Sequence, residues 1–107
     1  MTAEDFPASV REIVEPLLVD LGFTLDTVNN DIDEGGRRGS VVYYRSGDCK
    51  MQIYRSAREG SINCMIAPLS APNAFGPLDR TGQWQYLTRF ATGPRVPLEQ
   101  LLKDVPI

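Results

Sequence analysis

The chain has 107 residues, of which 42% are hydrophobic and 23% are charged. This composition is that of an ordinary globular protein, and the length predicts one domain spanning residues 1–107. A net charge of −3 argues against nucleic-acid binding, which needs a basic surface. The chain contains no histidine, which excludes His-based catalytic triads and most zinc sites. We therefore expect no metal and no cofactor.

The N-terminal residues predict a cytoplasmic location. Met1 to Asp5 are acidic and lack the basic start and apolar run of a secretion signal. The apolar stretches elsewhere are only a few residues long, whereas a membrane-spanning helix needs roughly 20. We expect no contact with a membrane.

The first predicted element is an amphipathic helix over residues 7–21. Its apolar residues recur at helical spacing and form one buried stripe: Val10, Ile13, Val14, Leu17, Leu18 and Leu21. Pro7 suits a first turn, and Gly22 suits a left-handed stop. Pro16 removes one backbone hydrogen bond, so we expect either a bend there or a late start of the helix.

Strands follow the helix. The alternation in 23–28 predicts the first strand, and the polar, glycine-bearing residues 29–39 predict a loop. Three further strands are predicted over 40–45, 48–56 and 61–67. Residues 68–77 should form an irregular connection. Residues 83–91 fit a strand or a helix, with helix slightly favoured, and 97–103 should form a short closing helix.

The turns between these strands predict their register. A tight turn at Ser46 and Gly47 would pair Tyr44 with Cys49, and a loop at 57–60 would pair Ile53 with Cys64. One sheet face is then continuously apolar: Val42, Tyr44, Cys49, Met51, Ile53, Ile62, Cys64 and Ile66. The other face is amphipathic, which suits either a covering helix or exposure, and we expect it to be exposed as a protein-binding patch: Val41, Tyr43, Lys50, Gln52, Tyr54, Asn63 and Met65.

The charges are sorted along the chain. Residues 1–34 carry nine acids and one base, whereas residues 35–58 carry six bases and one acid. Such asymmetry bears on partners more than on fold. The acids Asp31, Asp33 and Glu34 would steer a basic partner, and Tyr43 and Tyr54 on the exposed face would supply anchor area.

Other chemistry is less well supported by the residues. Residues 29–35 have part of the oxygen spacing of a calcium loop, but the glycine falls one place late and the closing Glu is absent. Arg37 and Arg38 lie among glycines without matching a phosphate-loop pattern. Cys49 and Cys64 should be too far apart for a disulfide and are expected to be reduced. Carboxylate catalysis would have to use Glu12, Glu15 or Asp26.

The order of elements resembles two protein families. The resemblance rests on the early helix that ends in Leu21-Gly22-Phe23, on two strands of the meander and on a late motif: Val41-Val42-Tyr43-Tyr44-Arg45-Ser46, Lys50-Met51-Gln52-Ile53-Tyr54 and Trp84-x-x-Leu87. In these features the chain resembles the small immunity proteins of bacterial polymorphic-toxin systems. It is also similar to single-domain secretion-chaperone and YbjN-like folds.

These observations predict an α+β fold with an N-terminal amphipathic helix, an antiparallel meander of about four strands and a helical C-terminal segment. The resemblance to immunity proteins implies a non-enzymatic, bacterial protein that binds a toxin, such as a basic toxin domain, and occludes its active site. The alternative is a chaperone-like or self-associating protein, such as a homodimer formed through the exposed sheet face.

Overall fold

The computed structural model describes residues 6–87 and residue 105. Within this part of the chain the fold is α+β, with two short helices and a five-stranded antiparallel sheet. The helices are α1 (Phe6–Ile13) and α2 (Glu15–Asp20), and the strands are β1 (Thr24–Asp33), β2 (Arg38–Arg45), β3 (Cys49–Ser56), β4 (Ser61–Pro68) and β5 (Gln85–Tyr86). The strands follow one another in space in chain order, so the sheet is a meander.

Pro16 divides the predicted helix in two. The helix breaks at Val14, and α2 begins with Pro16 in its first turn, where the missing N–H costs nothing. The apolar stripe continues across the break, because Val10, Val14 and Leu18 are all fully buried. Gly22 ends α2 with φ +94°, and the amide of Phe23 donates to the Leu18 carbonyl at 2.9 Å. Both the interruption and the left-handed stop were predicted.

The register of β3 and β4 is as predicted, with Ile53 opposite Cys64. The register of β2 and β3 differs from the prediction by two residues, because Tyr44 lies opposite Met51 and not Cys49. The turn is longer than two residues, since the Ser46 hydroxyl accepts hydrogen bonds from the amides of Asp48 (3.1 Å) and Cys49 (3.2 Å). An even shift keeps every side chain on its predicted face.

The prediction of a loop over 29–39 was wrong. Strand β1 continues to Asp33, and a four-residue turn closed by a hydrogen bond from the Glu34 amide to the Arg37 carbonyl (2.8 Å) joins it to β2. Two bulges interrupt the pairing of β1 with β2, one between Leu25 and Thr27 and one between Asn29 and Ile32. These bulges accommodate the extra residues of β1 without breaking the strand.

Each face of the sheet carries its own core. The helix face packs against α1 and α2, as predicted: Phe6, Val10, Val14, Leu18, Phe23, Val42, Tyr44, Met51, Ile53, Cys64 and Val105. The opposite face carries a second cluster: Val41, Tyr43, Tyr54, Met65, Ala67, Ala71, Phe75 and Trp84. The expectation that this second face is exposed was therefore wrong.

The cover on the second face is an irregular segment, residues 69–77, which we call the strap. Ala71 and Phe75 of the strap are buried, and the strap ends in a 3-10 turn at Gly76–Leu78. Its backbone is held by side chains from the sheet: Lys50 Nζ donates to the Ala71 carbonyl at 2.8 Å, and Gln52 Nε2 donates to the Ala74 carbonyl at 2.8 Å. This explains the polar residues on this face. The backbone groups of an irregular segment have no partners in a helix or sheet, so they need hydrogen bonds from side chains.

The structure describes only part of the C-terminal segment for which predictions were made. Gln85–Tyr86 pairs with β4 as a short strand, so the slightly favoured helix was wrong at these two residues and the strand alternative is confirmed there. The remainder of 83–91 from residue 88 onward, and the whole predicted helix over 97–103, lie outside the described residues.

Candidate protein-binding surface

The two tyrosines proposed as anchors are not available to a partner. Tyr43 is 4% exposed and Tyr54 is fully buried. Tyr43 packs against Trp84, with ring centroids 6.0 Å apart, and Tyr54 packs edge-on against Phe75 of the strap at 5.2 Å. Both rings are parts of the second core, so the proposed docking surface on this face does not exist.

Burial also removes these phenols from acid–base chemistry near neutral pH. Desolvation raises the pKa of Tyr43 to about 12. Desolvation first, and then the hydrogen bond between the hydroxyls of Tyr54 and Tyr86 (3.1 Å), holds the pKa of Tyr54 far above its ordinary value. Both side chains are neutral at pH 7.

The exposed functional candidates lie on β1, which forms one edge of the sheet. This strand pairs only with β2 in the described structure, and every one of its ten residues is exposed or half-buried. Asp26, Asp31 and Asp33 are exposed along it, and it carries no basic residue. Val28 is 40% exposed between them. We call residues 24–33 with these side chains the acidic edge.

The carboxylates of the acidic edge are held differently. Asp31 forms a 3.0 Å ion pair with Arg38, but the two side chains are 84% and 57% exposed, so the pair contributes at most roughly 1 kcal/mol. Asp26 accepts a hydrogen bond from Asn73 of the strap at 3.2 Å. Asp33 accepts from the amides of Gly35 and Gly36, at 3.0 and 3.1 Å, which shapes the turn. In the described structure the Asp31 carboxylate makes only this exposed ion pair.

Glu34, the third predicted acid, is buried rather than exposed. It is 8% exposed, and it accepts hydrogen bonds from the Ser56 hydroxyl at 2.7 Å and from the Ala57 amide at 2.8 Å. The carboxylate therefore ties the β1–β2 turn to the end of β3. The expectation that Glu34 is one of the exposed acids that steer a basic partner was therefore wrong.

Gly39 makes room for this carboxylate, which gives a stability prediction. A Cβ at Gly39 would lie 2.6 Å from Glu34 Oε2, 3.1 Å from Phe75 Cζ and 3.2 Å from the Arg55 carbonyl. We expect Gly39→Ala to lower the free energy of unfolding by about 2 kcal/mol, the typical cost of overpacking. Urea unfolding followed by circular dichroism measures this.

Gly47 provides the matched control for that substitution. It has no positive φ, and a Cβ there would meet nothing within 4 Å. We expect Gly47→Ala to change stability by no more than about 0.5 kcal/mol. Equal effects of the two alanines would show that the space around Gly39 does not limit its side chain.

The remaining residues considered for catalysis or metal binding do not form a site in the part of the chain that the structure describes. Glu15, one of the carboxylates considered for catalysis, binds Arg11 at 3.1 Å and accepts from the hydroxyl of buried Tyr44 at 3.0 Å. Cys49 and Cys64 are free thiols, as expected. No cluster of metal-ligating side chains occurs among the described residues. None of the helices in that part of the chain is both long and apolar enough to cross a membrane.

Comparisons with family models, with curated proteins and with solved structures found no match to this chain.

Only part of the acidic edge could be predicted from the sequence. Its acids were recognised, but its strand was not, because polar residues with two bulges lack the strict alternation that marks a strand.

Proposed function

We propose that this chain is a non-enzymatic, cytoplasmic domain that binds a basic protein through the acidic edge. The observation that carries the proposal is the exposure of Asp31 and its neighbours along an edge strand that itself contains no base; the ion pair of Asp31 with Arg38 of β2 is open to solvent. The resemblance to immunity proteins suggests that the partner is a toxin. The domain would neutralise this toxin by covering the toxin's active site. Electrostatic complementarity of this kind chiefly accelerates association and sets specificity.

The form of the edge indicates how the partner is contacted. An unpaired strand edge attracts other strands, and proteins protect such edges with charges and bulges. The acidic edge has both, because its two bulges leave only short regular stretches. A partner is therefore contacted mainly through the side chains of the edge, with Val28 as apolar area among the carboxylates.

Self-association, the alternative function, has less support. The sheet face through which a second copy would pair is covered by the strap, with Tyr43 and Tyr54 inside. Pairing two copies through the acidic edge would bring aspartates against aspartates, and like charges in opposed strands are destabilising. A basic protein avoids this repulsion.

The test uses the proteins encoded on either side of this gene as ligands. We expect one of them to bind, and we expect its affinity to fall between about 50 mM and about 500 mM NaCl, because salt screens exposed charges. The same protein should lose its toxic activity when the domain is added. The proposal fails if none of these proteins binds at the lower salt concentration.

A charge-reversal pair tests whether the acidic edge is the binding site. Asp31→Lys should weaken binding about tenfold or more, mainly by slowing association. Asp48→Lys changes the net charge equally, but Asp48 is exposed in the turn that follows β2. Asp31 lies beside the start of β2, because its neighbour Ile32 pairs with Gly39 there. Asp48→Lys should change affinity by less than about twofold. Equal losses from the two variants would exclude the acidic edge.

A further inference from the structure

A cavity lies beside the β1–β2 turn, on the side of the β3–β4 turn. Its volume is about 400 Å³, and three segments contribute to its lining: Asp33, Glu34 and Gly35 at the first turn, Ser56, Arg58 and Glu59 at the second, and Pro77 at the end of the strap with Leu78 directly after it. The cavity therefore combines carboxylates with an apolar wall. Leu78 is 52% exposed, which makes it one of the exposed large apolar side chains of the described structure.

Glu34 lines this cavity with a buried carboxylate that has no counter-ion among residues 6–87. Both of its hydrogen-bond donors, the Ser56 hydroxyl and the Ala57 amide, are neutral. No ion pair involves Glu34 among the described residues. Buried carboxylates are normally paired with a cation, because burial of an isolated charge is costly.

The structural role of Glu34 does not explain its charge. A glutamine could accept from the Ala57 amide with its oxygen and donate to the Ser56 hydroxyl with its nitrogen, with no charge to bury. In the part of the chain that the structure describes, each carboxylate oxygen of Glu34 accepts one hydrogen bond and retains a second lone pair. The retained acceptors suit a donor with two parallel N–H groups.

We propose that the cavity receives an arginine side chain of the partner protein. Three carboxylates and one base line it, so a cation is favoured. The planar guanidinium can donate two parallel hydrogen bonds to one carboxylate, which a lysine ammonium cannot. Pro77 and Leu78 would cover the aliphatic stem of the side chain. This inference rests on the proposed function, because it assumes a basic partner.

A short peptide tests the cavity without the partner. The probe is the amidated, N-acetylated peptide Gly-Ser-Arg-Ser-Gly, and its control replaces arginine with citrulline, which has nearly the same shape and no charge. Amide proton–nitrogen spectra of the full chain should show shifts at Gly35, Ala57 and Leu78 with the arginine peptide only. Equal shifts with citrulline, or shifts elsewhere only, would overturn the proposal.

Two variants with opposite expected effects on the affinity for the arginine peptide distinguish a change at the site from misfolding. Glu34→Gln should weaken the arginine peptide about tenfold, since it removes the buried charge and keeps both hydrogen bonds. Arg58→Gln should strengthen it about threefold, because Arg58 is the exposed cation that lines the same cavity. General damage to the fold cannot produce tighter binding. Unchanged affinity in both variants would refute the inference.

The outcomes separate this inference from the proposed function. In one outcome the peptide binds, Glu34→Gln weakens this binding, and no neighbour-encoded protein binds. This result would support the arginine site in the cavity and refute the proposed function. Binding of such a protein that is weakened by Asp31→Lys, but not by Glu34→Gln, would support the function and refute the cavity as its anchor site.

Discussion

Replacing Gln52 with Met is expected to lower the free energy of unfolding by about 3 kcal/mol, because it leaves two half-buried backbone groups of the strap without partners. Gln52 is fully buried on the strap face of the sheet. Its amide nitrogen donates to the Ala74 carbonyl at 2.8 Å, and its amide oxygen accepts from the Gly76 amide at 2.9 Å. Methionine fills a similar volume but offers no comparable hydrogen bond.

Urea unfolding measures this loss, and Trp84 serves as the fluorescent probe because it is the sole tryptophan. In thermal unfolding the same loss should lower the Tm by more than about 10 °C for a domain of this size. Gln83→Met is the matched control, since Gln83 is exposed and its side chain makes no hydrogen bond in the described structure. A Gln52→Met protein as stable as this control would show that the two hydrogen bonds do not hold the strap.

Gln52 also shows why the second core was not predicted from the sequence. The face that carries Lys50 and Gln52 has the polar content of a solvated surface, and this content predicted that it would be exposed. What covers it is the irregular segment 69–77, whose carbonyls and amides need side-chain partners. The prolines of this segment predicted the absence of a regular element, but not where the segment packs.

The helix face, in contrast, could be predicted almost completely. Its residues alternate with period two in the strands, and the helix presents one apolar stripe at helical spacing. The 57–60 turn determined the register of β3 and β4, with Ile53 opposite Cys64. The β2–β3 turn was predicted two residues too short, because the hydrogen bonds of the Ser46 hydroxyl to following amides could not be foreseen.

The charge pattern has a different meaning in the structure than in the sequence. Acidic β1 lies directly beside β2, which begins and ends with arginine, so part of the segregation along the chain is balanced between neighbouring strands. The ion pair of Asp31 with Arg38 is one example. The proposed partner would contact the outer side of β1 and the cavity that Glu34 lines. The sequence indicated the charge of this region but not its shape.

Trp84→Ala should have the largest effect of the substitutions considered, a loss of about 4 kcal/mol in the free energy of unfolding. The indole is 3% exposed and packs against Tyr43 in the second core. Its Nε1 donates to the Pro72 carbonyl at 3.0 Å, so the ring also ties the strap to the sheet. Alanine would remove the hydrogen bond and leave a cavity between them.

Trp84→Phe separates the two contributions of the indole, because it retains an aromatic ring against Tyr43 and removes the bond to Pro72. We expect it to cost about 1–2 kcal/mol, from the lost hydrogen bond and the smaller ring. These variants lack the fluorescent probe, so far-ultraviolet circular dichroism must follow their unfolding in urea. If Trp84→Ala cost no more than Trp84→Phe, packing of the indole ring would not stabilise the second core.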